Sequence, residues 1–145
     1  MTKTAELLIT RVFNAPPELI FECITDPEQL TQFWGPVGTH TPIDKIIVDL
    51  RLGGVFQTVM VDDATGEEFP SRCVYTEIDP PSRIAWTQPD NGLTATTDLV
   101  DLGDGRTEMR ILQTNLPEEF PLEYAEAGFK TSLDRFEVYL ATLGR

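Results

Sequence analysis

Positive charge is scarce in this chain. Its 11 Lys and Arg face 24 Asp and Glu, a formal net charge of -13 at pH 7; a field of that sign repels phosphate backbones and anionic lipid headgroups, so no nucleic-acid partner is expected. Long apolar runs are missing as well. No stretch approaches the roughly 18 uninterrupted apolar residues of a membrane helix, and membrane insertion is not expected. The opening residues Met1 to Glu6 carry no apolar export segment, which points to a cytoplasmic protein. Cysteine is limited to Cys23 and Cys73, far apart and without a Cys-x-x-Cys or Cys/His grouping. Neither a disulfide framework nor a metal site is signalled, and buried free thiols are the expectation. Catalytic signatures are lacking too: there is no Gly-x-Ser-x-Gly, no phosphate-cradling glycine loop, no His-Glu-x-x-His and no Cys/His pair. The reading is a protein that is not an enzyme, with no catalytic residue and no cofactor.

What is present is ample material for a core. The chain of 145 residues is 41% hydrophobic with eight Phe, far from the aromatic-poor profile of disorder and within the usual size of one domain, taken here as residues 1–145. Leu7 to Phe13 reads as a strand ended by Asn14-Ala15-Pro16-Pro17. Leu19, Ile20, Cys23 and Ile24 then recur at helical spacing up to Asp26-Pro27. A second short helix is expected over Pro27 to Phe33, stopped by Trp34-Gly35-Pro36. The period changes next: Ile43 to Leu50, Gly54 to Val61, Phe69 to Ile78, Arg83 to Gln88, Leu93 to Leu102 and Thr107 to Thr114 all read as strands. Short turns separate them, among them Pro89-Asp90-Asn91-Gly92, which makes an antiparallel meander. After Pro117 and Pro121 the helical period returns. Ala125, Phe129, Ser132, Leu133, Phe136, Leu140 and Leu143 form one stripe, with Glu126, Lys130, Asp134 and Glu137 largely opposite. The fold class is α+β, with the last helix burying its stripe on the sheet.

Five ordered segments carry a resemblance. The run Thr10 to Phe21 with Thr25-Asp26-Pro27 and Phe33-Trp34-Gly35-Pro36, then Asp49 to Phe56, Tyr75 to Ile84, Gly105 to Met109 and Gly128 to Phe136, resembles the activator-of-heat-shock-protein-90-ATPase-homologue family of the START/SRPBCC superfamily. It implies the helix-grip fold: a curved antiparallel sheet of about seven strands around a long C-terminal helix, with two short helices after the first strand, enclosing a cavity. The chain has Phe33 and Phe129 where the family commonly has Trp. The eukaryotic chaperone activators also carry an additional N-terminal domain, for which this chain is expected to have no room.

Within that fold, strand parity selects the cavity candidates. The inward sets are Phe56, Thr58 and Met60; Cys73, Tyr75 and Glu77; Ile84, Trp86 and Gln88; Ala95, Thr97 and Leu99; and Met109, Ile111 and Gln113. Phe129, Ser132, Leu133 and Phe136 face them from the helix, and Phe33 and Trp34 stand as the candidates to close the entrance. The ligand-binding set drawn from these is Phe33, Trp34, Phe56, Met60, Tyr75, Trp86, Leu99, Met109, Gln113, Phe129, Leu133 and Phe136. Tyr75, Trp86 and Gln113 have polar ends that need a partner when buried.

Charged candidates read as structural. Glu77 is expected to pair with Arg51 or Arg83, Arg72 and Arg110 to be solvated, and the Asp62 to Glu68 segment to be a solvated acidic hairpin rather than a calcium loop. His40, the single histidine, reads as an exposed loop residue, with a general base or pH-sensitive latch as its alternative. The leading expectation is therefore non-catalytic binding of a hydrophobic or aromatic small molecule, lipid- or polyketide-like, by a monomer or homodimer. The alternatives are a stress-response interaction module whose partner is a chaperone, and a cyclase or hydrolase that uses the same cavity.

Overall fold

The computed structural model describes residues 4–90, 92–117 and 122–143. Alternating apolar residues Leu7, Ile9 and Phe13 turn one face of strand β1 (Thr4–Phe13) inward. Pro17 then opens helix α1 (Pro17–Thr25), where a missing N–H costs nothing because that position has no intrahelical partner. Asp26 ends α1 in an extended conformation and its carboxylate accepts from the Glu28 N–H, capping the single turn α2 (Pro27–Leu30). This second helix is shorter than its expected span to Phe33.

Strands β2 (Thr39–His40), β3 (Ile47–Val48), β4 (Val55–Asp62), β5 (Glu68–Asp79), β6 (Arg83–Thr87), β7 (Thr94–Asp101) and β8 (Thr107–Pro117) follow, and helix α3 (Leu122–Thr142) ends the described chain. The expected strand Ile43 to Leu50 is mostly a 3-10 turn at Ile43–Lys45 and the two-residue β3; β2 had no sequence signal at all. Every pairing is antiparallel. The eight-stranded sheet runs β1-β8-β7-β6-β5-β4-β2, with β3 beside β4, so the meander of β4 to β8 is completed by β1 on its far edge.

Two extra residues break the alternation. Tyr75 pairs with Trp86 but Glu77 pairs with Ala85, so Thr76 is a bulge, and beyond it Ile78 rather than Glu77 faces inward opposite Ile84. A second shift falls between Ala5 and Leu7 on β1; opposite it, Asn115 of β8 adopts φ 63°, and Leu116 is buried. Helix α3 lies across the inner face with Leu133, Phe136 and Leu140 buried and Lys130, Asp134 and Glu137 exposed. The side chain of Ala125, expected on the same stripe, lies outside the described residues. Arg11 of β1 ties the two together, its guanidinium 2.6 Å from Asp134 and 3.2 Å from Glu137.

Candidate functional site

Between the sheet and α3 lies a partly enclosed cavity of about 390 Å³. Its floor can be read as rows across the strands. Thr58 of β4 stands beside Ser71 of β5; Trp86, Ala95 and Gln113 align across β6, β7 and β8; Thr97 and Ile111 form the next row, which Ile84 continues into the core. Gly128, Phe129, Ser132, Leu133 and Phe136 of α3 form the roof, and Ile24 closes one side from α1. The wall is mostly apolar with sparse uncharged polar groups, the usual make-up of a small-molecule pocket. Among the described residues no Asp, Glu, Lys, Arg or His lines it.

The segment Phe33-Trp34-Gly35-Pro36 is itself wall. Helix α3 bolts it down. Arg135 donates to the carbonyl oxygens of Gly35 at 2.8 Å and of Pro36 and Thr39 at 3.3 Å, Ser132 donates to Phe33 O at 3.2 Å, and Val37 N–H donates to Thr131 Oγ1 at 3.1 Å. Gly35 has φ 101°, and a Cβ there would sit 2.7 Å from Thr39 Oγ1 and 2.9 Å from Met60 Sδ, so only glycine allows the loop to lie this close to β4.

Of the ligand-binding candidates, Phe33, Trp34, Met60, Trp86, Met109, Gln113, Phe129, Leu133 and Phe136 stand on the cavity wall. Phe56, Tyr75 and Leu99 do not. Phe56 and Tyr75 stack on each other at 5.6 Å, and the edges of Trp34 and Trp86 cover Phe56, so both rings pack behind the wall; Leu99 belongs to the core. Phe33 is not an entrance residue either. It is 3% exposed and stacked on Phe136 at 4.3 Å, because the turn after α2 directs it under α3. Ile24, Gly35, Pro36, Ser71, Leu93 and Gly128 were missed: a helix end, a loop and a small residue beside the stripe become wall only when α3 docks, whereas Ser71 and Leu93 continue the inward parity of Cys73 and Ala95 and were legible from it.

The polar candidates separate clearly. Glu77, expected inward, is turned out by the Thr76 bulge; it lies 3.5 Å from Arg83, one of its two expected partners, and both are well exposed. Arg51 engages Asp49 at 2.8 Å instead. Arg110 is exposed and pairs with Glu108. Asp62 accepts from the N–H groups of Ala64 and Thr65 and shapes an exposed turn, which holds its carboxyl below the ordinary range. His40 is half-exposed on β2, 2.6 Å from Asp63, and does not line the cavity.

The buried titratable groups are held neutral. Burial, with Glu22 and Asp26 adding to it, pushes the Cys23 thiol up to about 12. Burial likewise raises Cys73, partly offset by Ser71, and raises Tyr75, whose hydroxyl is buried without a hydrogen-bond partner.

Solved structures share this architecture. A protein from Chromobacterium violaceum is 27% identical with a TM-score of 0.85, covering 92% of this chain and 96% of that one. One from Nitrosomonas europaea is 25% identical with a TM-score of 0.82, covering 96% of each. A Silicibacter pomeroyi protein titled AHSA1 is 25% identical with a TM-score of 0.79, covering 95% of this chain and 99% of that one. No curated protein is a significant match. No helix among the described residues is long and apolar enough to cross a membrane. The profile described as "Activator of Hsp90 ATPase homolog 1-like protein" matches residues 14–141, and with that span and this architecture the chain belongs to that family, a branch of the START/SRPBCC superfamily whose fold typically binds hydrophobic ligands.

Proposed function

We propose that this protein binds a compact hydrophobic or aromatic small molecule, lipid- or polyketide-like, in the cavity beneath α3 and releases it unchanged. The observation that carries this reading is the cavity itself: about 390 Å³ of space walled by aromatic and aliphatic side chains. That volume falls near the lower end of the roughly 300–1,000 Å³ typical of small-molecule sites, which favours a compact ring system over a long chain. A non-catalytic role is supported by the titratable groups. General acid–base catalysis works best with a pKa near the operating pH, whereas Cys73 on the wall and Tyr75 behind it are both driven upward by burial and stay protonated at neutral pH.

Native mass spectrometry and quenching of Trp34 and Trp86 fluorescence against a panel of neutral polycyclic aromatics and lipids test the reading. One-to-one saturable binding, with the ligand recovered at unchanged mass, is expected. Absence of binding across the panel at high micromolar concentration ends the binding proposal, and recovery of a ligand of altered mass ends the non-catalytic one.

A further inference from the structure

We propose that the cavity selects an uncharged ligand bearing a hydrogen-bonding group, read by the carboxamides of Gln88 and Gln113, and rejects an ionised carboxylate of the same shape. This rests on the small-molecule reading above and names the ligand class.

The sheet register places both groups. Gln113 on β8 lies opposite Ala95 on β7, which lies opposite Trp86 on β6. Gln88 follows two residues after Trp86 on the same face, where its backbone N–H donates to Leu93 O at 2.8 Å. The two glutamines therefore flank β7 from strands roughly 10 Å apart, twice the inter-strand spacing. Gln88 stands level with Leu93 and Gln113 level with Ala95, so the two are also offset by two residues along β7, and the short Ala95 methyl leaves open space beside Leu93. Both side chains line the one cavity.

Neither carboxamide has a side-chain hydrogen bond among the described residues, whereas Ser132 on the opposite wall is already engaged with Phe33 O. A carboxamide offers N–H donors and an oxygen acceptor, so two of them facing an apolar space recognise a hydroxyl, ketone or amide in either sense. A ligand with such a group supplies the missing partners; one without it leaves them unpaired, which is a strong basis for discrimination. Charge is excluded by a different term. With no ionisable lysine, arginine, histidine or carboxylate on the described wall, an ion would enter the cavity without a counter-charge and lose its hydration. The net charge of -13 further disfavours an anion.

Naphthamide, naphthoate, naphthalene and naphthylmethylammonium share one ring system and differ in the group presented, so titrating the four against the whole chain at neutral pH isolates the polar term. Naphthamide is expected to bind at least about tenfold tighter than naphthoate and several-fold tighter than naphthalene. Gln88→Leu with Gln113→Leu is expected to erase the preference for naphthamide while naphthalene binding persists; Gln→Met at the same positions serves if the leucine variant does not fold. Equal affinities for all four probes overturn the polar-group assignment and leave the cavity reading standing. Tighter binding of naphthoate or naphthylmethylammonium overturns the neutral-ligand assignment. An undiminished naphthamide preference in the double variant removes the glutamines from the site. Failure of all four to bind overturns this inference together with the small-molecule reading for ring systems of this size.

Discussion

The space under α3 has two halves built from the same strands and the same helix. Towards the Leu99 end of β7 it is solid: Phe13, Ile20, Leu30, Leu99, Phe136 and Leu140 are at most 5% exposed, and Phe13 meets Phe136 edge-on at 5.1 Å. Towards the Ala95 end it is hollow, with Thr58, Ser71, Ala95, Thr97 and Gly128 on the wall. Parity does not distinguish the halves, since all the β7 residues named face inward. Size does. Along β7 the inward side chain grows from Ala95 through Thr97 to Leu99, and along α3 from Gly128 through Ser132 to Phe136. A cavity forms where the small ends of both series face each other, because neighbouring backbone held by a hydrogen-bonded sheet cannot collapse to fill it.

That contrast predicts unequal responses to truncation. Phe13→Ala, in the solid half, should cost about 3–5 kcal/mol in urea unfolding, the usual loss for a core aromatic. Trp86→Ala, on the hollow side, should cost less, roughly 1–3 kcal/mol, since one side of the ring faces open space. It should also weaken ligand binding at least about tenfold. A full core-sized loss with unchanged affinity would assign Trp86 to packing.

The two thiols sharpen the comparison kinetically. Cys23 is sealed in α1, with its thiol donating to Gln29 at 3.1 Å, while Cys73 lines the cavity. Iodoacetamide should therefore alkylate Cys73 about tenfold faster than Cys23 in the folded protein, and a bound ligand should protect Cys73. Equal rates would mean that both are reached only by unfolding. The raised Cys23 value carries a stability consequence of definite sign. The unfolded thiol ionises near 9.0 and the folded one near 12, so between those pH values the unfolded state holds fewer protons. This contribution is fully present below pH 9 and is lost as pH rises towards 12, and Cys23→Ala should flatten the alkaline fall in the urea midpoint.

The smallest expected effect is a gain. Gly128 is helical and a Cβ added there would meet only Pro36 Cβ, at 3.8 Å, an ordinary contact. Gly128→Ala should stabilise the protein by about 0.5–1 kcal/mol through helix propensity. A loss instead would show that the roof needs that space for close approach of the Phe33 to Thr39 loop.

The sequence alone determined most of the sheet's inner face and the stripe of α3, because alternation and the 3.6-residue period are local properties. Five ordered segments added the family and its fold. The bulges were partly legible: Tyr75 and Ile78 are apolar with Thr76-Glu77 between them, a spacing of three that strict alternation forbids, and Glu77 was misplaced by ignoring it. The two-residue β2, the burial of Phe33 beneath α3 and the retreat of Phe56 and Tyr75 behind two tryptophans had no local signal. Nor did the cavity. Those features depend on which side chains from distant segments compete for the same volume once the helix is docked, and that competition exists only in three dimensions.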